Sequence, residues 1–153
     1  MMNGLNKLSM QLTIYSFALL IFCLSSPAGA ASSSQINYIL HCQGCHLPDG
    51  AATEGKVPAL KNEVGKFLHV AGGREFLIRV PGTSQSALTD PEVADVLNWI
   101  LENFSPAELP GDFIPYSSQE ISRLRRPPLA NVSAVRSALM EEILTLEKGS
   151  LNE

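Results

Sequence analysis

The sequence predicts an all-α fold, on three observations. Val93, Val96, Leu97, Ile100, Leu101 and Phe104 recur at helical spacing and form one continuous apolar stripe. Val132, Val135, Leu139, Ile143 and Leu146 mark a second amphipathic helix near the end of the chain. The one stretch with strand character, FLIRV at 76–80, has no partner strand signal anywhere else. Arg74–Val80 therefore reads as a short helix stopped at Pro81-Gly82.

At 153 residues the chain has room for one domain and some surplus. Its net charge is −4, and without a basic run it offers nothing to a nucleic acid. Residues 1–30 read as a signal peptide: Lys7, then the uncharged apolar run Leu12–Leu24, then Ala28-Gly29-Ala30 as a cleavage pattern. Export to the periplasm with cleavage near Ala30 is the expectation. The apolar run is shorter than the about 20 residues that span a bilayer, so a membrane enters only if the segment stays uncut as an anchor. Cys23 lies inside that run behind Phe22, a poor setting for lipid attachment. Cleavage leaves Cys42 and Cys45 as the only thiols, with no spare pair for a structural disulfide.

The serine run Ser32–Ser34 supplies an N-cap, and Gln35–His46 reads as the first helix, with Ile36, Tyr38, Ile39 and Leu40 as its apolar side. It ends on Cys42-Gln43-Gly44-Cys45-His46, the Cys-x-x-Cys-His pattern of covalent haem attachment. The spacing has a chemical reason. Two thiols three positions apart can each add to one of two neighbouring vinyl groups on a porphyrin edge. The imidazole that follows then reaches the iron from one face, and a neutral histidine nitrogen is a good axial ligand. Cys-x-x-Cys is also a dithiol redox motif and half of many zinc sites. A structural zinc site needs four ligands, and beyond these three the exported chain adds only His41 and His69. A thioredoxin-like site needs a βαβ setting, which the pattern lacks.

Pro48-Asp49-Gly50 is a turn signal inside a polar loop over 47–59, with Pro58 and Leu60 expected near the ring. Lys61–Val70 reads as a short helix broken by Gly65. Asp90 is the expected N-cap of the helix to Phe104, with Pro91 at N1 and Glu92 in the first turn. Beyond it, Ser105–Pro115 is a connector and Ser117–Glu120 a capping box. The following Arg123, Arg125 and Arg126 read as a solvated face, and Arg136, Glu141, Glu142 and Lys148 as the outer face of the last helix.

Residues 32–104 resemble a small class I c-type cytochrome. The matching features are the helix carrying Cys42-Gln43-Gly44-Cys45-His46, the loop reaching Val57-Pro58-Ala59-Leu60, and the helix opened by Leu88-Thr89-Asp90-Pro91-Glu92. The residue pattern sets a signal peptide over 1–30 and a helical extension over 105–153. The resemblance implies a helical cytochrome domain over 31–104 between them, around one covalent haem c. It implies an electron carrier rather than an enzyme, exchanging single electrons with periplasmic redox proteins. It also implies a Pro58 carbonyl behind His46. The family's Met-Pro pair before the last helix reads Val80-Pro81 here, so the sixth iron ligand is open to His69, Met140, Lys66 or none. Two further readings follow from that gap: a haem enzyme or gas- or peroxide-sensing protein with an open iron face, and an accessory haem subunit of a periplasmic dehydrogenase or oxidase complex.

A domain of about 70 residues has little surface to bury and needs a staple, which the attached macrocycle supplies. Cys42→Ala and His46→Ala are therefore expected to yield little folded protein. Recovery of either variant with native helix content by circular dichroism and a cooperative melt is the opposite result.

Overall fold

The computed structural model describes residues 32–55 and 57–150; the signal-peptide reading of residues 1–30 lies outside the described residues. Helix α1 spans Ser33–His41, with the Ser32 hydroxyl accepting the Gln35 N–H at 3.2 Å. It stops short of the predicted His46. The Cys42 and Gln43 N–H groups both turn back to the Tyr38 carbonyl at 2.9 Å, which closes the helix before the thiols. Cys42–His46 then forms tight turns, with the His46 N–H on the Cys42 carbonyl at 2.9 Å. The expected apolar side of α1 is also corrected. Ile36, Ile39 and Leu40 are exposed, and Tyr38 alone is buried.

A 3₁₀ helix over Val64–His69 occupies the place of the predicted short helix. Gly65 is a close contact there rather than a break. Its N–H donates to the Ser105 hydroxyl at 3.0 Å, and a Cβ would stand 2.9 Å from the Ser105 carbonyl oxygen. Helix α2 covers Gly73–Arg79, so FLIRV is helical as expected. Pro81 does not end structure; it opens a further turn of helix, α3, over Pro81–Ser84. Helix α4 is Asp90–Phe104. Its cap is Thr89 rather than Asp90: the Glu92 carboxylate takes the Thr89 N–H at 2.8 Å and its hydroxyl at 2.7 Å. Helices α5 (Ser118–Leu124) and α6 (Val132–Ser150) complete an all-α architecture. Among the described residues the nearest approach to a strand is one isolated bridge, Thr53 to Val57. No helix among them is long and apolar enough to cross a membrane.

The stripe on α4 is the centre of the core. All six of its residues are buried. At roughly 1.5–3 kcal/mol for each large apolar side chain taken from water, this face outweighs any other element's. Helix α1 lies on it through Tyr38, whose ring centroid is 5.2 Å from Trp99 and 5.0 Å from Phe104.

Residues 105–150 pack into the same unit as residues 32–104, so the division at 104 is one of sequence pattern rather than of space. Three arginine contacts make the join. Arg74 grips Glu120 in a two-pronged pair at 2.6 and 2.7 Å, while its guanidinium lies 4.0 Å over the Tyr116 ring. Arg79 donates to the Pro127 carbonyl at 3.0 Å. Arg125, expected on a solvated face, is 5 % exposed. Its guanidinium donates to the carbonyls of Ser84 (3.1 Å), Ser86 (2.7 Å) and Leu88 (2.7 Å) and to Asp90 Oδ1 (3.1 Å). A loop with several inward carbonyls needs donors, and a planar five-donor fork supplies them at one point.

Arg125→Ala would leave those carbonyls buried without donors. A loss of about 3 kcal/mol is expected, read as a lowered denaturation midpoint, with Arg125→Lys recovering only part. Gly50→Ala is expected to be destabilising too. Gly50 has φ +74°, and a Cβ there would meet the Phe104 ring at 2.7 Å.

Candidate functional site

Between the end of α1, the 47–60 loop, the 3₁₀ helix, α2, α3 and the middle of α4 lies a cavity of about 540 Å³. Its walls are mainly apolar. Phe67, Phe76, Leu77, Leu97 and Ile100 line one part, and Val57–Leu60 and Val80–Thr83 line others. Phe67 and Phe76 stack at 5.1 Å. Cys42, Cys45 and His46 stand together on the rim and wall of this space.

The motif is positioned by backbone hydrogen bonds rather than by helix. The Tyr38 hydroxyl donates to the Leu47 carbonyl at 2.6 Å and lies 3.2 Å from the His46 carbonyl. Thr53 donates from the loop to the Cys45 carbonyl at 2.7 Å. A residue one turn before the thiols thus pins the chain just after them. Burial, with smaller contributions from Cys42 and Asp49, pushes the Tyr38 phenol up to about 12.

Both thiols are free, Cys45 exposed and Cys42 half-buried. Burial and the neighbouring Cys45 raise Cys42 to about 11. Burial also lowers the His46 imidazole, against the opposing pull of the Pro58 carbonyl, which favours its neutral form. His46 Nδ1 is buried without a hydrogen bond of ordinary geometry. An apolar cavity of this size, two unpaired thiols on its edge and a half-buried imidazole with an unpartnered ring nitrogen fit a porphyrin and its iron. They do not fit zinc, because no cluster of three or more ligating side chains exists among the described residues.

No family model matches the sequence. Curated relatives do. The chain is 30% identical over 129 residues to one cytochrome c-552 of Thermus thermophilus, covering 72% of this chain and 87% of that protein. It is 32% identical over 106 residues to another cytochrome c-552 from Thermus thermophilus, covering 58% of this chain and 81% of that one. The chain belongs to the class I c-type cytochromes. Its cofactor is haem c, and its role is electron transfer.

Within the cytochrome, the loop residues Val57, Pro58, Ala59 and Leu60 line the cavity as expected. Other candidates fall elsewhere. His69 is exposed, its Nε2 2.9 Å from the Glu108 carbonyl, and it does not line the cavity. Met140 packs half-buried against the apolar core, also away from the cavity. Lys66 is held between Glu63 (3.3 Å) and Glu147 (3.4 Å). His41, next to Cys42 on the chain, stands on the cavity rim. Arg136, assigned to an outer face, lines the cavity with Val132 and lies 5.9 Å from the Phe67 ring centroid. The spacing of Val132, Val135 and Leu139 gave that helix a buried side. Its meeting with the cavity depends on where the preceding connector delivers it, which periodicity does not encode.

Tyr38 gives a pH test with a definite sign. Its folded pKa lies above the ordinary value of 10.0, so its contribution is complete below pH 10 and is lost as pH rises towards about 12. Tyr116 is also raised by burial and acts in the same direction. Tyr38→Phe is expected to lower stability by about 1 kcal/mol at pH 7 and to reduce the alkaline fall in Tm. An unchanged alkaline profile would show that the phenol is not held this way.

Proposed function

We propose that this cytochrome is an exported, periplasmic one-electron carrier in which Cys42 and Cys45 hold haem c and His46 is its axial ligand. The observation that carries the reading is the juxtaposition of two unpaired thiols and a half-buried imidazole, its Nδ1 unpartnered, on one apolar cavity. Each thiol S–H adds across a vinyl C=C, making one C–S and one C–H bond, so attachment needs no external oxidant. The bound haem supplies an iron centre that changes by one electron. The chain's part is to hold and tune it. Tyr38 and Thr53 fix the backbone of the attachment turn. The Pro58 carbonyl lies near the His46 ring, where it would accept from the imidazole and leave the other nitrogen for a metal. The apolar walls exclude water and so bear on the potential.

Transfer by this route requires no general acid, base or nucleophile. Exposed Cys45 marks the edge at which electrons would enter and leave. The exposed face of α1 with Ile36, Ile39 and Leu40 leads to that edge and suits contact with a redox protein. Donor and acceptor are, on this reading, other periplasmic redox proteins.

The exported protein is expected to gain one haem in mass, to keep it after denaturation, and to show a pyridine haemochrome band. A film or solution voltammogram should give one reversible one-electron wave. Protein that matures without added haem mass would remove the electron-carrier reading.

A further inference from the structure

A haem iron has two axial positions, and His46 accounts for one. The cavity wall is poor in anything that could take the other. Besides the motif itself, its nitrogen- and oxygen-bearing side chains among the described residues are His41, Thr83 and Arg136. A guanidinium has no lone pair to give, and an alcohol is a weak ligand for haem iron. His41 is exposed on the rim, next in sequence to Cys42 at the end of α1. Met140 is the one methionine in residues 32–150, and it is packed in the core. His69 and Lys66 are engaged by Glu108, Glu63 and Glu147 on the outside.

The wall opposite these commitments is Val80-Pro81-Gly82-Thr83, and it is fixed. The Val80 carbonyl accepts the N–H groups of Thr83 and Ser84, each at 2.9 Å. The Ser84 carbonyl in turn takes Arg125 Nε at 3.1 Å. This segment is short, capped at both ends and pinned by a buried arginine, so it cannot swing a distant ligand inward at small cost.

We propose that none of the described residues supplies a side-chain ligand to the sixth position and that a small exogenous ligand is accepted there instead. The wall formed by Val80, Pro81 and Thr83 leaves the space for it. The ligand class is a diatomic such as carbon monoxide or nitric oxide for the reduced protein, and a small anion such as cyanide for the oxidised one. Arg136 is the guanidinium that lines the cavity, 5.9 Å from the Phe67 ring centroid. The proposal rests on haem attachment at Cys42 and Cys45.

The test begins with the purified, exported full chain, in which the pyridine haemochrome band first establishes attachment; its absence would overturn the carrier reading and this proposal with it, whereas the spectra below overturn this proposal alone. With haem present, the ferric protein should be high-spin by electron paramagnetic resonance. Carbon monoxide should shift the Soret band of the ferrous protein, and cyanide should convert the ferric protein to low spin. A low-spin ferric spectrum in which carbon monoxide and cyanide change nothing would overturn the proposal. So would a low-spin spectrum that turns high-spin in His41→Ala, Lys56→Ala, Lys66→Ala, His69→Ala or Met140→Leu, since that side chain would then be the ligand.

Discussion

The helices enclose a space that their own side chains do not fill. A cavity of about 540 Å³ with apolar walls is not a stable end point for a chain of this size. At roughly 24 cal/mol for each Å³ of unfilled volume, the cost is on the order of 10 kcal/mol as an upper figure, since part of the space meets water. Whole domains are stable by about 5–15 kcal/mol. The occupant is therefore a part of the core that the sequence leaves to be added.

The extension is the second half of that arrangement. A cytochrome part ending at Phe104 would leave Ser84, Ser86 and Leu88 with inward carbonyls and no donors. Arg125 satisfies all three from outside the segment that carries them. Arg74 and Arg79 tie α2 to the same stretch, through Glu120 and the Pro127 carbonyl. Helix α6 then brings Val132 and Arg136 to the cavity itself. Buried guanidinium groups are costly unless fully bonded, so these contacts fix one placement of the extension more than they add net stability.

Much of this was legible in the residues. The α4 stripe is buried as its period requires, because a 3.6-residue repeat depends only on local geometry. The grouping of Cys42, Cys45 and His46 was legible for the same reason: their proximity is sequential. What sequence patterning missed depends on distant partners. Arg125 sits among charged neighbours and looks solvated; only the fold brings it to three carbonyls 37 to 41 residues away. Thr89 displaced Asp90 as the cap of α4, and the Asp90 carboxylate was free to meet Arg125. His69 looked available because Val80-Pro81 stands where a Met-Pro pair was expected and a histidine is a good iron ligand. The 3₁₀ helix turns the Phe67 ring to the cavity and the imidazole to Glu108.

Two clamps on backbone carbonyls set the shape of the site, and neither touches its interior. Tyr38 holds the attachment turn from the buried side of α1. Arg125 holds the segment after Val80–Thr83 from α5. Both act on main chain, so they fix where the walls stand without dictating which side chains face inward. Position and chemistry are thereby separated. The side chain at position 80 can change what faces the cavity, while the hydrogen bonds that hold the wall need no change. The same frame can then serve electron transfer or ligand capture, with the choice resting on a few inward side chains.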